Sequence, residues 1–281
     1  MNIRFEQSIT KYKNKVEDIL LEKEACNNLM LGILGRIEHD PEAYVNGYYL
    51  GIAEVDGKAV YAFMQTPPNN WILADIEHTK NDVIHHITDF LYTNDVEVPG
   101  VMGPTEQAGT FKDAWERLNN CSSTIHVKQL IYRLDDVKPI SKGEGRLTAA
   151  TSNDHQLVKK WLIQFGVEAN EQISDKKADQ VAESFINNGS LHLWMVNDQP
   201  VSMVNQSRKT KNGATINAVF TPDEHKRNGY ATASVAALSE KLLGEGFQFC
   251  SLYTDLANPT SNNIYKKIGY DEVGRSIVYK F

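Results

Sequence analysis

Cysteine is scarce in this chain. Cys26, Cys121 and Cys250 are spread over 281 residues, and their odd number and wide separation give no metal spacing and fit a reducing compartment. No segment approaches the roughly 18 unbroken apolar residues that a membrane span needs, so no membrane partner is expected. The opening Met1-Asn2-Ile3-Arg4-Phe5-Glu6 lacks the basic-then-apolar order of a secretory leader, and the cytoplasm is the expected location. Positive charge is also short. Lys and Arg total 29 against 36 Asp and Glu, a net charge of −7, which argues against a protein whose main work is gripping nucleic acid through its phosphates. No Gly-Lys-Ser/Thr or GxGxxG run follows a strand pattern, which disfavours nucleotide binding of those kinds. No Ser/His/Asp spacing stands out either.

What is present is an ordinary globular composition, 41% hydrophobic and 23% charged, over a length that suits two modest domains. The polar stretch Val137-Lys138-Pro139-Ile140-Ser141-Lys142-Gly143-Glu144-Gly145 has no apolar period and reads as a linker. It divides the chain into residues 1–140 and 145–281. In the first part, Val16, Ile19 and Leu20 mark one helix and Leu29, Met30, Ile33, Leu34 and Ile37 a second. Asp56-Gly57 between two apolar runs predicts a hairpin. A short strand over 71–75, helices over 81–92 and 111–118, and a strand over 128–134 follow. Gly100, Gly103 and Gly109 among prolines read as turn chemistry. In the second part, Asp154 is placed to cap a helix carrying Leu157, Val158, Trp161, Leu162 and Phe165. A second helix is expected over 175–187, then a hairpin turning at 197–200. Both parts read helix, helix, hairpin, strand, so internal duplication is open.

The most informative stretch runs from Ile216 to Tyr270. Ile216, Ala218 and Phe220 alternate with Asn217 and Val219 as a half-buried strand should. Thr221-Pro222 ends it, because proline cannot donate to a ladder. Lys226-Arg227-Asn228-Gly229-Tyr230-Ala231 then opens a helix with Val235, Leu238 and Leu242 on one face. Gly229 permits a tight turn and close approach of a bulky anion. The first N–H groups of the helix point back at that turn and attract negative charge. A second motif follows another strand: Asn258 as cap, Pro259 at the first helical position, Ile264 and Ile268 one turn apart, Tyr265 beside them, and Gly269 as stop.

The two motifs resemble those of the GNAT superfamily of N-acetyltransferases. Lys226, Gly229 and Ala231 align with its Arg/Gln-x-x-Gly-x-Gly/Ala signature, with lysine in place of the usual first residue. Asn258, Ser261, Ile264, Tyr265, Lys267, Gly269 and Tyr270 are similar to its later Asn-x-x-Ala-x-x-Leu-Tyr-x-Lys-x-Gly-Phe pattern, with conservative departures at Ser261, Ile264 and Tyr270. The resemblance covers about residues 145–281.

It implies an α/β (α+β) fold, a mixed and mostly antiparallel sheet flanked by helices, with a smaller or degenerate copy in the first part. It implies acetyl-CoA as cosubstrate, no metal, and a primary-amine acceptor of unknown identity. Amides from Arg227 through Asn228, Gly229 and Tyr230 to Ala231, beside Lys226, would hold the pyrophosphate. Backbone groups around Asn217 and Val219 would serve the pantetheine arm and the thioester, and Asn258 would bond the arm. Tyr265 matches the family's general acid, and a phenol stays protonated at neutral pH. The base is less legible: Glu168 is the candidate, with Glu171 and His192 as rivals. A CoA-binding sensor or interaction module on the same fold is the alternative expectation.

Overall fold

Asp56 and Gly57 both adopt left-handed backbone, φ 51° and 77°. That is what a two-residue hairpin needs to match the twist of its strands. The structure, a computed structural model, describes residues 1–169 and 171–281. Its chain divides into two units. The first comprises Met1–Ile131, Thr254–Ala257 and Glu272–Phe281, and the second Tyr132–Tyr253 and Asn258–Asp271.

The chain begins β1 (Asn2–Phe5), α1 (Ile9–Leu21), α2 (Glu24–His39), β2 (Tyr49–Val55), β3 (Lys58–Gln65) and β4 (Trp71–Leu73). It continues through α3 (Asn81–Thr93), β5 (Gly100–Pro104), α4 (Thr105–Asn119) and β6 (Thr124–Leu134). The same order then repeats: β7 (Arg146–Ala149), α5 (His155–Glu168), α6 (Asp175–Asn187), β8 (Leu191–Val196), β9 (Gln199–Lys209) and β10 (Gly213–Phe220). The repeat closes with α7 (Tyr230–Gly244), β11 (Phe249–Asp255), α8 (Pro259–Ile268) and β12 (Asp271–Lys280). Among the described residues, the symmetry seen in the sequence as helix, helix, hairpin, strand therefore extends to ten strands and α-helices in each half.

In the first unit, β1, β2, β3 and β4 pair antiparallel in turn, β4 pairs β5 parallel, and β5 pairs β12 antiparallel. Apolar side chains of α1 and α2 (Tyr12, Val16, Met30, Leu34) pack with Leu50, Ile52 and Met64 of the sheet. Ile84 and Ile87 of α3 and Phe111 of α4 pack with Phe63, Trp71 and Val101 in a second cluster. Strands 2–5 and 100–104 were not expected from the sequence. Gly103 accounts for the second: a Cβ there would stand 2.7 Å from Leu73 Cβ, so this glycine serves close approach of paired strands rather than a turn.

In the second unit, β7, β8, β9 and β10 pair antiparallel and β10 pairs β11 parallel. Val158, Trp161 and Leu162 of α5 and Ala178 and Ala182 of α6 bury Leu191, Leu193, Met203 and Phe220. Trp194 and Val201 pack instead with Ala233 of α7. Helices thus cover both sides of a mixed, mostly antiparallel sheet, as expected. Asp154 takes a different role from the expected one. Its carboxylate accepts from Thr151 N and Oγ1, both at 2.8 Å, boxing a single turn over Ser152–Asp154 ahead of α5. No helix is long and apolar enough to cross a membrane, among the described residues.

Candidate active site

Strand β10 pairs with β11 only at Gly213–Phe249, Ala214–Cys250 and Thr215–Ser251, where the Thr215 and Ser251 hydroxyls meet at 3.1 Å. From Ile216 to Phe220 it runs on with no β11 partner among the described residues. A parallel pair that stops halfway leaves a wedge with main-chain groups on its edges. Along the same stretch the β9–β10 register slips between Asn217 and Phe220, and Ala218 takes φ 47°. A non-glycine residue in left-handed backbone inside a strand is costly and marks a bulge. Asn217 and Val219, the expected backbone contacts, flank that bulge. Ser202 anchors its far end by donating to Phe220 O at 2.9 Å, and Thr221 donates to Ser202 Oγ at 2.9 Å.

Beyond the strand, a single turn over Asp223–His225 leads to the cradle. Arg227 and Gly229 both adopt positive φ, 66° and 78°. The Asn228 side chain turns inward and donates to His225 O and Lys226 O, at 3.1 and 3.2 Å. With those carbonyls occupied by a side chain, the main-chain N–H groups from Arg227 to Thr232 are left without an acceptor among the described residues. The last of them are the orphan donors of the first turn of α7. Unpaired amides at the positive end of a helix dipole can hold an anion. A Cβ on Gly229 would meet nothing within 4 Å, so the space in front of the turn is open.

Two cations flank this space. The exposed Arg227 guanidinium has no partner among the described residues. Lys226 lies 2.5 Å from Glu168 and 2.7 Å from Asp223, and these contacts, Asp223 first, raise the pKa of its ammonium. The structure thus brings Glu168, at the end of α5, to the cradle. Glu171 is exposed and its N–H donates to Gly166 O. His192 is 5% exposed, and burial lowers its pKa. Its charged neighbours are Lys241 and Glu245. They stand at the C-terminal end of α7, about 20 Å from the cradle by the rise of a helix.

Asn258 caps α8, its Oδ1 accepting from Ser261 N at 3.0 Å, with Pro259 at the first position. That helix carries Tyr265, 7% exposed, whose ring sits 6.1 Å from Tyr132 and 5.9 Å from Tyr270. Tyr270 is held by Ser239 at 2.9 Å. The Tyr265 hydroxyl has no hydrogen bond among the described residues, and burial pushes its pKa up to about 12.

Sequence reasoning missed a polar chain behind Asn217. Ser190 donates to Asn205 Oδ1 at 2.7 Å, and Asn205 Nδ2 donates to Asn217 Oδ1 at 2.8 Å. Asn205 is fully buried while Asn217 is exposed, so the Asn217 amide is held through its oxygen by a buried partner. A polar residue at an inward phase of a strand was the available signal. Among the described residues, no group of His, Cys, Asp and Glu is arranged to hold a metal.

The first unit differs in sequence at the corresponding turn. Its β4–α3 connection, residues 74–80, contains no glycine and carries Asp75 and Glu77. Lys23 bonds Asp75 at 2.6 Å, and Asp75 N is taken by Asn27 Oδ1 at 2.8 Å.

Comparison with known proteins agrees with this architecture. Residues 194–278, which span β8 to β12 and include the cradle and Tyr265, match the family model described as FR47-like protein. No curated protein matches the chain. A GNAT-family acetyltransferase from Colwellia psychrerythraea is similar over 100% of both chains at 13% identity and a TM-score of 0.59. A GCN5-related N-acetyltransferase from Sphaerobacter thermophilus is similar over 100% of this chain and 95% of its own, at 10% identity and a TM-score of 0.61. A tandem GNAT protein from the clavulanic acid biosynthesis pathway is similar over 100% and 98%, at 9% identity and a TM-score of 0.56. At such identities the likeness is one of fold, and it runs the whole length of the chain. The chain as a whole has the fold of these GNAT structures, and its residues 194–278 match the FR47-like family model.

Proposed function

We propose that residues 145–281 form an acyl-CoA-dependent N-acetyltransferase, moving an acetyl group from acetyl-CoA to a primary amine by direct attack in a ternary complex, while residues 1–140 bind no CoA. The observation that carries this is the row of free amides from Arg227 to Thr232 at the mouth of the β10–β11 wedge. A diphosphate needs several convergent donors, and these are fixed before it arrives.

In this reading Arg227, Asn228, Gly229, Tyr230 and Ala231 hold the pyrophosphate by their amides. The wedge edge at Asn217 and Val219 receives the pantetheine arm, and a main-chain N–H there faces the thioester oxygen as charge develops on it. Lys226 exchanges Glu168 for the diphosphate. Glu168, released, takes a proton from the acceptor ammonium. The amine nitrogen bonds the acetyl carbon, the carbon–sulfur bond breaks, and Tyr265 gives its proton to the departing thiolate. The nitrogen's second proton, lost as the amide forms, passes through water to the phenolate and restores the phenol, and Glu168 returns its own proton to solvent. Tyr265 suits this step because a phenol is protonated at neutral pH, and burial raises its pKa further. No covalent enzyme intermediate is required.

The test is calorimetric titration of CoA and acetyl-CoA. Saturable binding is expected, weakened about tenfold in Gly229→Ala by the cost of a side chain in left-handed backbone at the turn. A folded protein that takes up no CoA at millimolar concentration overturns the reading. Thiol release with an amine panel separates an enzyme from a CoA sensor: binding without release of thiol would leave the sensor.

A further inference from the structure

A cavity of about 500 Å³ lies wholly in the first unit, at the end of α2 and the start of β4. That volume is within the range of small-molecule sites. Leu29, Ile33 and Arg36 share one face of α2 at i, i+4, i+7 and all line it. Ile72 and Met102, paired across β4 and β5, complete an apolar floor.

The charged groups around this floor are of one sign, with Tyr44, Thr66, Asn69 and Asn70 as neutral polar neighbours. Arg36 is exposed and makes no ion pair or hydrogen bond from its guanidinium among the described residues. Among the described residues, Lys280 bonds only the neutral Asn70, at 2.8 Å. The Thr66 residue is 6% exposed, and its hydroxyl accepts from Asn69 at 3.3 Å but donates to nothing among the described residues. Among the described residues, no Asp or Glu lines the cavity, although acids outnumber bases in the chain by 36 to 29. Other cations of this unit are taken by carboxylates, among them Lys13 by Glu38, Lys15 by Glu54 and Lys23 by Asp75.

We propose that this cavity is a binding site for a small monocarboxylate with an apolar body. The Arg36 fork matches a carboxylate in two parallel bonds, Thr66 supplies a third donor, and Lys280 adds charge without competition from an acid. The floor of Ile33, Ile72 and Met102 takes a short aliphatic or aromatic body. A free phosphate would use the cations and leave the floor uncovered. A cationic amine would be repelled, so this is not an acceptor site. The unit holds none of the residues assigned to acetyl transfer, and the inference stands apart from that assignment.

Hexanoate is a suitable probe, followed by calorimetry or by amide shifts in NMR, with 1-hexanol and inorganic phosphate as controls. Saturable hexanoate binding is expected, at least tenfold tighter than either control. Arg36→Gln, at an exposed position, should weaken it at least tenfold with the fold intact by circular dichroism. Thr66→Val, which keeps the side-chain shape, should weaken it severalfold. No saturable hexanoate binding to the folded protein overturns the proposal. So does unchanged affinity in Arg36→Gln, or phosphate binding as tightly as hexanoate.

Discussion

Lys226 Nζ stands 2.5 Å from Glu168 Oε1, joining the end of α5 to the turn before α7 across 58 positions of sequence. Both side chains are largely exposed, so the pair contributes little stability, at most about 1 kcal/mol. Its consequence is for binding. In the proposed reading, a diphosphate arriving at the cradle competes with Glu168 and Asp223 for the same ammonium. Glu168→Gln removes one competitor and the proposed base together. It should bind CoA about two to five times more tightly than the parent and turn over at least tenfold more slowly. Unchanged turnover would sink the base role, and unchanged CoA affinity would sink the exchange of partners. Lys226→Met should act oppositely on binding, weakening CoA severalfold and flattening its salt dependence.

Tyr265 offers a cleaner separation. Replacing it by phenylalanine keeps the ring between Tyr132 and Tyr270 and removes only the hydroxyl. Turnover should fall by about 10² to 10⁴, the range for loss of a positioned acid, with CoA affinity within about threefold of the parent. Because burial raises the phenol to about 12, its deprotonation should set no basic limb in the parent's rate profile below about pH 11. Equal turnover of the two forms, measured with saturating acceptor, removes Tyr265 from the chemistry.

The cradle was legible in sequence because it is local. Proline ending a strand, two cations, a glycine and an apolar helix face occur within one short window, and each has a backbone reason to be there. The cap at Asn258 and the stop at Gly269 are local for the same reason. The Lys226–Glu168 pair and the Ser190–Asn205–Asn217 chain join different elements, and no window of sequence contains them. Strand β5 escaped because Gly100 and Gly103 carry no apolar side chain to show a period. Their function as close-approach positions depends on Leu73 and Tyr279, which neighbouring strands supply. The wedge between β10 and β11 is a matter of where pairing stops, which residue type does not encode.

Stability should fall in alkali from a definite starting point. Burial pushes the thiols of Cys26 and Cys250 from 9.0 up to about 12, and the Tyr265 phenol from 10.0 to about 12. The folded chain therefore keeps protons that the unfolded chain sheds. These groups favour folding fully below about pH 9, and their contribution is lost as pH rises toward 12. Urea midpoints should hold between pH 7 and 8.5 and decline between 9.5 and 11. Cys250→Ala should flatten the decline by up to about 1.4 kcal/mol per pH unit, the worth of one proton. Parallel slopes for variant and parent would show that Cys250 does not titrate across the transition.

Asn258 has one oxygen committed to the fold and one nitrogen left for a ligand. Its Oδ1 accepts from Ser261 N, closing the first turn of the helix that carries Tyr265. Asn258→Asp keeps an acceptor at the cap, with a charge that suits a helix N-terminus, and loses only the amide donor. Asn258→Ala loses both. Thermal unfolding should therefore show the aspartate variant at the parent's stability or above it, and the alanine variant about 1 kcal/mol lower. CoA affinity should separate the two functions differently. If the amide serves the pantetheine arm, both variants bind CoA several times more weakly. If Asn258 is a cap alone, the aspartate variant binds as the parent does, and only the alanine variant, with its helix end loosened, is impaired.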